Sequence, residues 1–427
     1  MLAALQAAAV ANQSRYVVAP GHYRFQAPAL GAPQAVLADV VRPMGWPFVI
    51  QATNATFWFT FEPYPMPHAG VFLLLRNCSN VVVQGVTLDS DPRGAMEGRV
   101  LQIDEHAGRV QLQLSKGSFF VPFNNTADPN TGRFVMYKSD GTFIPNTYAF
   151  QNGGKLMMSQ VGPLDAQGRF WAQLAHPDIL ATMASPGWQR AYGRDGSLQP
   201  GDGLVIFYFT ALVFELAQCD SVRFEDVTTH VVKGCMSMSG GRGGHDFVRL
   251  RSMPRPGTNQ LTGGDGIMVN GLRRGPNFDT CYWQTSTDDL INFHGYWGYV
   301  ANSSGPTVYF QPSSYNALSV DQVWPGDRVV LRHNTTLAVV ARVEVVSRPA
   351  AGQLVVSPAP PTLDASIVAE FPDWGSGGWQ IANSQALDIY QRVFVQTGPG
   401  RLVNNTFTRM GDSVSIRSTS ASGNEGG

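Results

Sequence analysis

Asp288-Asp289 is an adjacent carboxylate pair in the run Ser286-Thr287-Asp288-Asp289-Leu290-Ile291-Asn292-Phe293-His294-Gly295. A third carboxylate, Asp265, lies 23 residues upstream in Gly263-Gly264-Asp265-Gly266-Ile267. Glycoside hydrolysis needs two carboxyl functions, one to protonate the leaving oxygen and one to attack the sugar or activate water. Clustered acids also repel one another, which raises at least one pKa and keeps a proton available. The alternative is a pair of ordinary turns, where Asp is common. The spacing decides between them, because about 23 residues makes one coil of a parallel β-helix and would bring all three acids to one face.

Other polar residues fall around these turns. His294 is a candidate to bond substrate hydroxyls, or else a satisfied strand-end histidine. His245 sits in Gly241-Arg242-Gly243-Gly244-His245-Asp246, where glycine allows either close approach of a ligand or a tight turn. Arg273-Arg274-Gly275 would neutralise an acidic substrate, pair with the carboxylates, or face solvent. Asn270 and Arg274 complete the substrate-binding set with His294, His245 and Trp297. Trp283, Trp297, Trp374 and Trp379 offer a sugar-stacking platform, although Trp283 falls at a core position.

Acids so far apart in sequence need a scaffold that repeats. Six hexads share an apolar pattern, opening at Val83, Phe224, Leu250, Phe278, Ile381 and Leu402. Uninterrupted spacings are 26, 28 and 21 residues, and coils of that length must stack to bury their inner faces. Two gaps, of 141 and 103 residues, are too long for one coil. The first holds a hairpin pattern and Pro200-Gly201-Asp202-Gly203. The second holds the sister phrase Pro325-Gly326-Asp327-Arg328. The expected fold is all-β: a right-handed parallel β-helix with two inserted small β-barrel-like domains and an N-terminal capping helix. The segments are 1–97 (first coils), 98–215 (first inserted domain), 216–297 (coils with the active site), 298–375 (second inserted domain) and 376–427 (last coils).

Bulk properties agree with a globular chain. Of 427 residues, 44% are hydrophobic and 14% charged, which excludes disorder. The formal net charge is −1 with no basic run, which argues against nucleic acid. No apolar stretch reaches the roughly 18 residues of a membrane span. Met1–Val10 lacks the basic stretch of a signal peptide and reads as an amphipathic capping helix. Four cysteines fit neither a disulfide scaffold nor a zinc site. Cys78 and Cys219 precede their hexads equally, so they fall on adjacent coils as either a disulfide or a reduced stack. Seven Asn-x-Ser/Thr sequons, at Asn12, Asn54, Asn77, Asn124, Asn302, Asn334 and Asn404, give a secreted or extracytoplasmic location only weak support. Turn asparagines create such matches by chance.

Asp265-Gly266-Ile267, a following Arg-Gly, Cys281 and Asp288-Asp289 through His294-Gly295 resemble glycoside hydrolase family 110. So does Val393-Phe394-Val395-Gln396-Thr397 with Leu402–Phe407. The resemblance spans most of the chain and is looser in the inserted parts. It implies a right-handed β-helix with inserted barrels and an inverting, metal-independent exo-α-1,3-galactosidase. No cofactor is implied, and the partner is a carbohydrate ending in α-galactose. Asp288 would be the general acid, with Asp265 and Asp289 positioning and deprotonating the water. Met268-Val269-Asn270 replaces a His-containing strand of the family. The acids are also similar to those of family 28 polygalacturonases, but the Asn-Thr-Asp, Gly-His-Gly and Arg-Ile-Lys motifs are absent, which argues against a uronate. Competing readings are a polysaccharide lyase using Arg273 or Arg274 with calcium, and a non-catalytic carbohydrate-binding β-helix. Exposed edges of the inserted domains would allow a homodimer.

Overall fold

A computed structural model describes residues 1–26, 33–60, 71–91, 95–124, 134–141, 143–144, 158–175, 198–207, 211–230, 234–258, 266–286, 289–295, 297–311, 320–389, 393–396, 398–410 and 415–416. These residues are almost entirely β, with one α-helix among them, α1 (Leu2–Val10). None of their helices is long and apolar enough to cross a membrane.

Two parallel sheets form the main body. Along one, Ala35–Ala38, Val71–Arg76, Ala211–Ala217, Gly234–Ser239, Ile267–Asn270, Ile291–His294, Val393–Gln396 and Ser415–Ile416 lie side by side. The other is longer and has two tracks, which the strand Val81–Ser90 spans. The chain visits the shorter sheet, then both tracks of the longer one, and repeats. An inward column runs Val83, Phe224, Phe247, Phe278 and Ile381, each opposite the next, and continues in register to Leu402, which is 37% exposed at the end of the sheet. Its Phe rings stack, 5.5 Å apart for Phe224–Phe247 and 4.8 Å for Phe247–Phe278.

This column corrects one predicted hexad. Phe247, not Leu250, lies opposite Phe224, so these coils advance by 23 and 31 residues rather than 26 and 28. Leu250 precedes Arg251, which pairs with Thr228 and Tyr282 in the second track. Phe247 and Leu250 are both fully buried, three residues apart, so either satisfies the apolar pattern. Between the tracks each coil bends at a residue of positive φ: Gly85, Asp226, Arg249, Thr280, Asn383 and Asn404. The sequon residues Asn12, Asn54, Asn77 and Asn404 are also left-handed, in keeping with asparagine chosen for turns.

Helix α1 forms but is not amphipathic, since alanine occupies most of its surface. Leu5, Ala8 and Ala9 are buried. Gln6 covers the edge strand beside it, donating to the Ala38 carbonyl (3.0 Å) and accepting from the Ala38 N–H (3.3 Å). Cys78 and Cys219 are adjacent free thiols, with the Cys78 N–H donating to Cys219 Sγ at 3.4 Å.

Two segments leave the parallel pattern. The first is an antiparallel sheet of β1 (Ala95–Asp104), β2 (Arg109–Leu114), β3 (Phe123–Asn124), β4 (Phe134–Tyr137), β5 (Phe143–Ile144), β6 (Met158–Val161), β7 (Arg169–Leu174) and β8 (Gly203–Phe207), ordered β5-β4-β8-β1-β2-β7-β6-β3. It begins at Ala95 rather than 98. It ends before Ala211 rather than at 215, because Ala211–Ala217 already pairs in parallel with Val71–Arg76. The second segment is a closed barrel of β9 (Trp297–Ser304), β10 (Thr307–Phe310), β11 (Arg328–His333), β12 (Val339–Ser347), β13 (Gln353–Ser357) and β14 (Ile367–Glu370), ordered β9-β10-β13-β12-β11-β14. The barrel has its own core, whereas the antiparallel sheet shares the core of the parallel body.

The sister phrases form the same turn. Asp202 Oδ2 accepts from the Gln199 N–H (3.0 Å), and Asp327 Oδ2 from the Trp324 N–H (2.6 Å). Gly201 and Gly326 donate to the Val100 and Val345 carbonyls (2.8 and 2.7 Å). Val100 and Val345 in turn donate to the Asp202 and Asp327 carbonyls (2.7 and 2.8 Å).

At the barrel, this turn also grips the parallel body. Arg273 pairs with Asp327, whose side chain is 2% exposed. The guanidinium lies over Trp324 (4.4 Å to the ring centre) and Trp374 (4.9 Å), and Trp374 Nε1–H donates to Asp327 Oδ2 (2.8 Å). Removing one partner of a buried pair strands the other. Asp327→Ala should therefore lower stability by about 3–5 kcal/mol. Chemical denaturation followed by near-ultraviolet circular dichroism of the clamp tryptophans checks this.

Candidate functional site

Asp265 and Asp288 lie outside the described residues. Asp289 is within them, 5% exposed, in the turn that enters Ile291–His294. The residues after Asp265 are fixed against this turn. The Gly266 N–H donates to the Asp289 carbonyl (2.9 Å) and the Ile267 N–H to the Leu290 carbonyl (3.0 Å). A Cβ at position 266 would stand 2.7 Å from the Leu290 oxygen, so the approach of the two turns requires glycine there. Ile267 lies opposite Ile291, an advance of 24 residues rather than 23.

Beyond the turns, side chains alternate across the sheet. Ile267, Val269, Ile291 and Phe293 point inward and are fully buried. Met268, Asn270, Asn292 and His294 take the outer face. Asn270 stands directly between Ser239 and His294 in the register, so two predicted sugar ligands are neighbours. Sequence reading missed the row before it: Glu215 opposite Ser237, Ser237 opposite Met268, Met268 opposite Asn292. Ser237 is 6% and Asn292 9% exposed, and Asn292 Oδ1 has no hydrogen-bond partner among the described residues. The legible signal was the alternation in Met236-Ser237-Met238-Ser239 and Ile291-Asn292-Phe293-His294.

Burial sets the electrostatics of this face. It raises the Glu215 carboxyl above its usual range, with Arg76 opposing the shift. It lowers the His294 imidazole, so His294 is neutral near pH 7 and can both donate and accept. Five residues separate Asp289 from His294, at most ~17 Å of extended chain. His294 and Asn270 therefore mark the far end of the strands from the carboxylate turn.

Three predicted ligands are placed elsewhere. His245 is fully buried, its Nδ1 accepting the Val222 N–H at 3.2 Å, with no path to a substrate. Burial, helped by nearby Arg274, pushes its pKa down to about 3. Arg274 is exposed at that corner of the coil and bonds Ser221 Oγ (3.2 Å). It belongs to the turn before the long sheet, while the carboxylate turn follows it. Trp297 opens the barrel, where it pairs with Glu370, and is partly exposed. The proposed tryptophan platform is also corrected: Trp283, Trp374 and Trp379 are all 3% exposed or less and are core residues.

The chain matches no family model and no curated protein.

The buried imidazole of His245 has a consequence for acid stability. The unfolded chain protonates it below pH 6.5, whereas the folded chain excludes that proton until about pH 3. The contribution of His245 is complete above pH 6.5 and is lost as pH falls toward 3, by up to about 1.4 kcal/mol per pH unit. His245→Gln keeps an acceptor without the titration. Urea unfolding from pH 7 to 4 should show a shallower acid loss in that variant.

Proposed function

We propose that the chain is an inverting exo-glycosidase that removes terminal α-linked galactose, built as a right-handed parallel β-helix with two inserted β-barrel-like domains and the helix α1 as its N-terminal cap. The reading is carried by the hydrogen bond from Gly266 to Asp289, which ties the turn following one predicted catalytic acid to the turn holding another. By the observed advance of 24, Asp289 is one full period on from position 265. Adjacent parallel strands lie ~4.8 Å apart. A diagonal offset between such turns suits the ~6.5–9.5 Å that an inverting pair needs to admit water.

In this mechanism Asp288 protonates the glycosidic oxygen. Asp265 and Asp289 hold and deprotonate the water on the opposite face of the sugar. Neutral Asn270, Asn292 and His294 offer hydroxyl contacts farther along the strands. The resemblance to family 110 rests on the quoted motifs. A lyase reading loses support, since Arg273 is engaged with Asp327 and Arg274 lies at another corner.

A panel of aryl α- and β-glycosides, with the product anomer followed by NMR, tests the reading. Hydrolysis of the α-galactoside with inversion is expected. Asp288→Asn and Asp265→Asn should each lower kcat by about 10²–10⁴-fold while sugar binding persists. Full activity in either variant rules out the three-carboxylate mechanism.

A further inference from the structure

A pocket of about 210 Å³ lies between the antiparallel sheet and the second track of the long sheet. Tyr137 of β4 supplies one wall, and Arg255, Thr258, Gln284 and Asp388 the other. Its polar groups are held from behind. Asp388 is 4% exposed, and both carboxylate oxygens accept from Arg409, Oδ2 at 2.8 Å from Nη2. Its φ of 58° is left-handed, as is that of Arg409 (53°) on the neighbouring strand. Arg255 is bidentate to Asp89 (2.6 and 2.9 Å), bonds the Ser90 carbonyl (3.0 Å) and lies over Trp58. Tyr137 is 3% exposed, and burial, with Glu97 and Asp388 nearby, raises its phenol well above the usual range. It therefore stays protonated.

Each charge in the lining thus has its counter-charge behind the wall, Asp388 in Arg409 and Arg255 in Asp89. An anionic or cationic ligand would leave water and meet no unmatched partner, which is costly. A neutral ring with many hydroxyls exchanges water hydrogen bonds for fixed ones. Asp388 keeps accepting capacity beyond its two bonds to Arg409.

We infer that this pocket binds an uncharged, hydroxyl-rich ring, and that the antiparallel sheet is one wall of a ligand site. In sequence, the lining segment 253–258 ends seven residues before Asp265, and Gln284 stands four residues before Asp288. The inference rests on the glycosidase reading only for the choice of sugar.

Titration calorimetry of the full-length Asp288→Asn protein with D-galactose and with D-galacturonate tests it. Galactose should bind, and galacturonate at least about tenfold more weakly. Pro256→Trp replaces an exposed lining residue and fills the space. It should weaken galactose at least about tenfold with the melting temperature unchanged, and Gln284→Ala should weaken it in the same direction. Equal binding of the two sugars, no galactose binding, or galactose binding indifferent to both variants overturns the inference. Hydrolysis is read separately on the wild-type chain. Galactose binding lost in Pro256→Trp alongside an inactive wild type would sink the glycosidase reading and leave the pocket standing.

Discussion

The parallel body depends on one backbone constraint. Each coil must pass from the first to the second track of the long sheet through a single left-handed residue, with φ between 51° and 78° at Gly85, Asp226, Arg249, Thr280, Asn383 and Asn404. An L-residue in that conformation costs roughly 1–2 kcal/mol. The strain is offset outside the corner by a ladder of side chains. Arg249 spans Asp226 and Glu225 on the preceding coil (2.6–2.9 Å). Asn383 donates to Asp279 (2.9 Å) and Asn404 to Asn383 (3.0 Å). Keeping the bends aligned keeps the inward column in register, and with it the turn that carries Asp289.

The same constraint explains what the sequence could and could not reveal. Gly85, Asp226, Asn383 and Asn404 are residue types that declare a turn. Arg249 and Thr280 do not; a β-branched threonine at positive φ is a rare choice. The coil between them therefore offered two apolar candidates, Phe247 and Leu250, and the pattern alone could not rank them. The Phe stack ranks them, because only Phe247 lies over Phe278.

The candidate site divides along similar lines. That Asn270 and His294 share the outer face was legible because strand alternation is local. Arg273, Arg274 and His245 were not, because their fates depend on which corner of the coil each occupies. Arg273 and Arg274 are adjacent in sequence, yet one grips the barrel and the other bonds Ser221. The tryptophans misled for the opposite reason: a large ring suits a core as well as a sugar platform, and burial settles the matter only in three dimensions.

The repeated Pro-Gly-Asp turn reaches further than local geometry. Superposing Asp202 on Asp327 matches β8 to β11 and β1 to β12. The shared neighbour order then matches β2 to β13, β7 to β10, β6 to β9 and β4 to β14. Every matched pair of neighbours is antiparallel in both segments. The chain, however, starts at β1 in one and at the counterpart of β6 in the other. In strand order the two segments thus differ by a circular permutation of six strands, although among the described residues only the barrel closes, through β9 and β14. In each, the strands at the opening are hydrogen-bonded neighbours, β1 with β8 and β9 with β14. A unit whose ends emerge side by side can be spliced into a coil without shifting the strands before and after it.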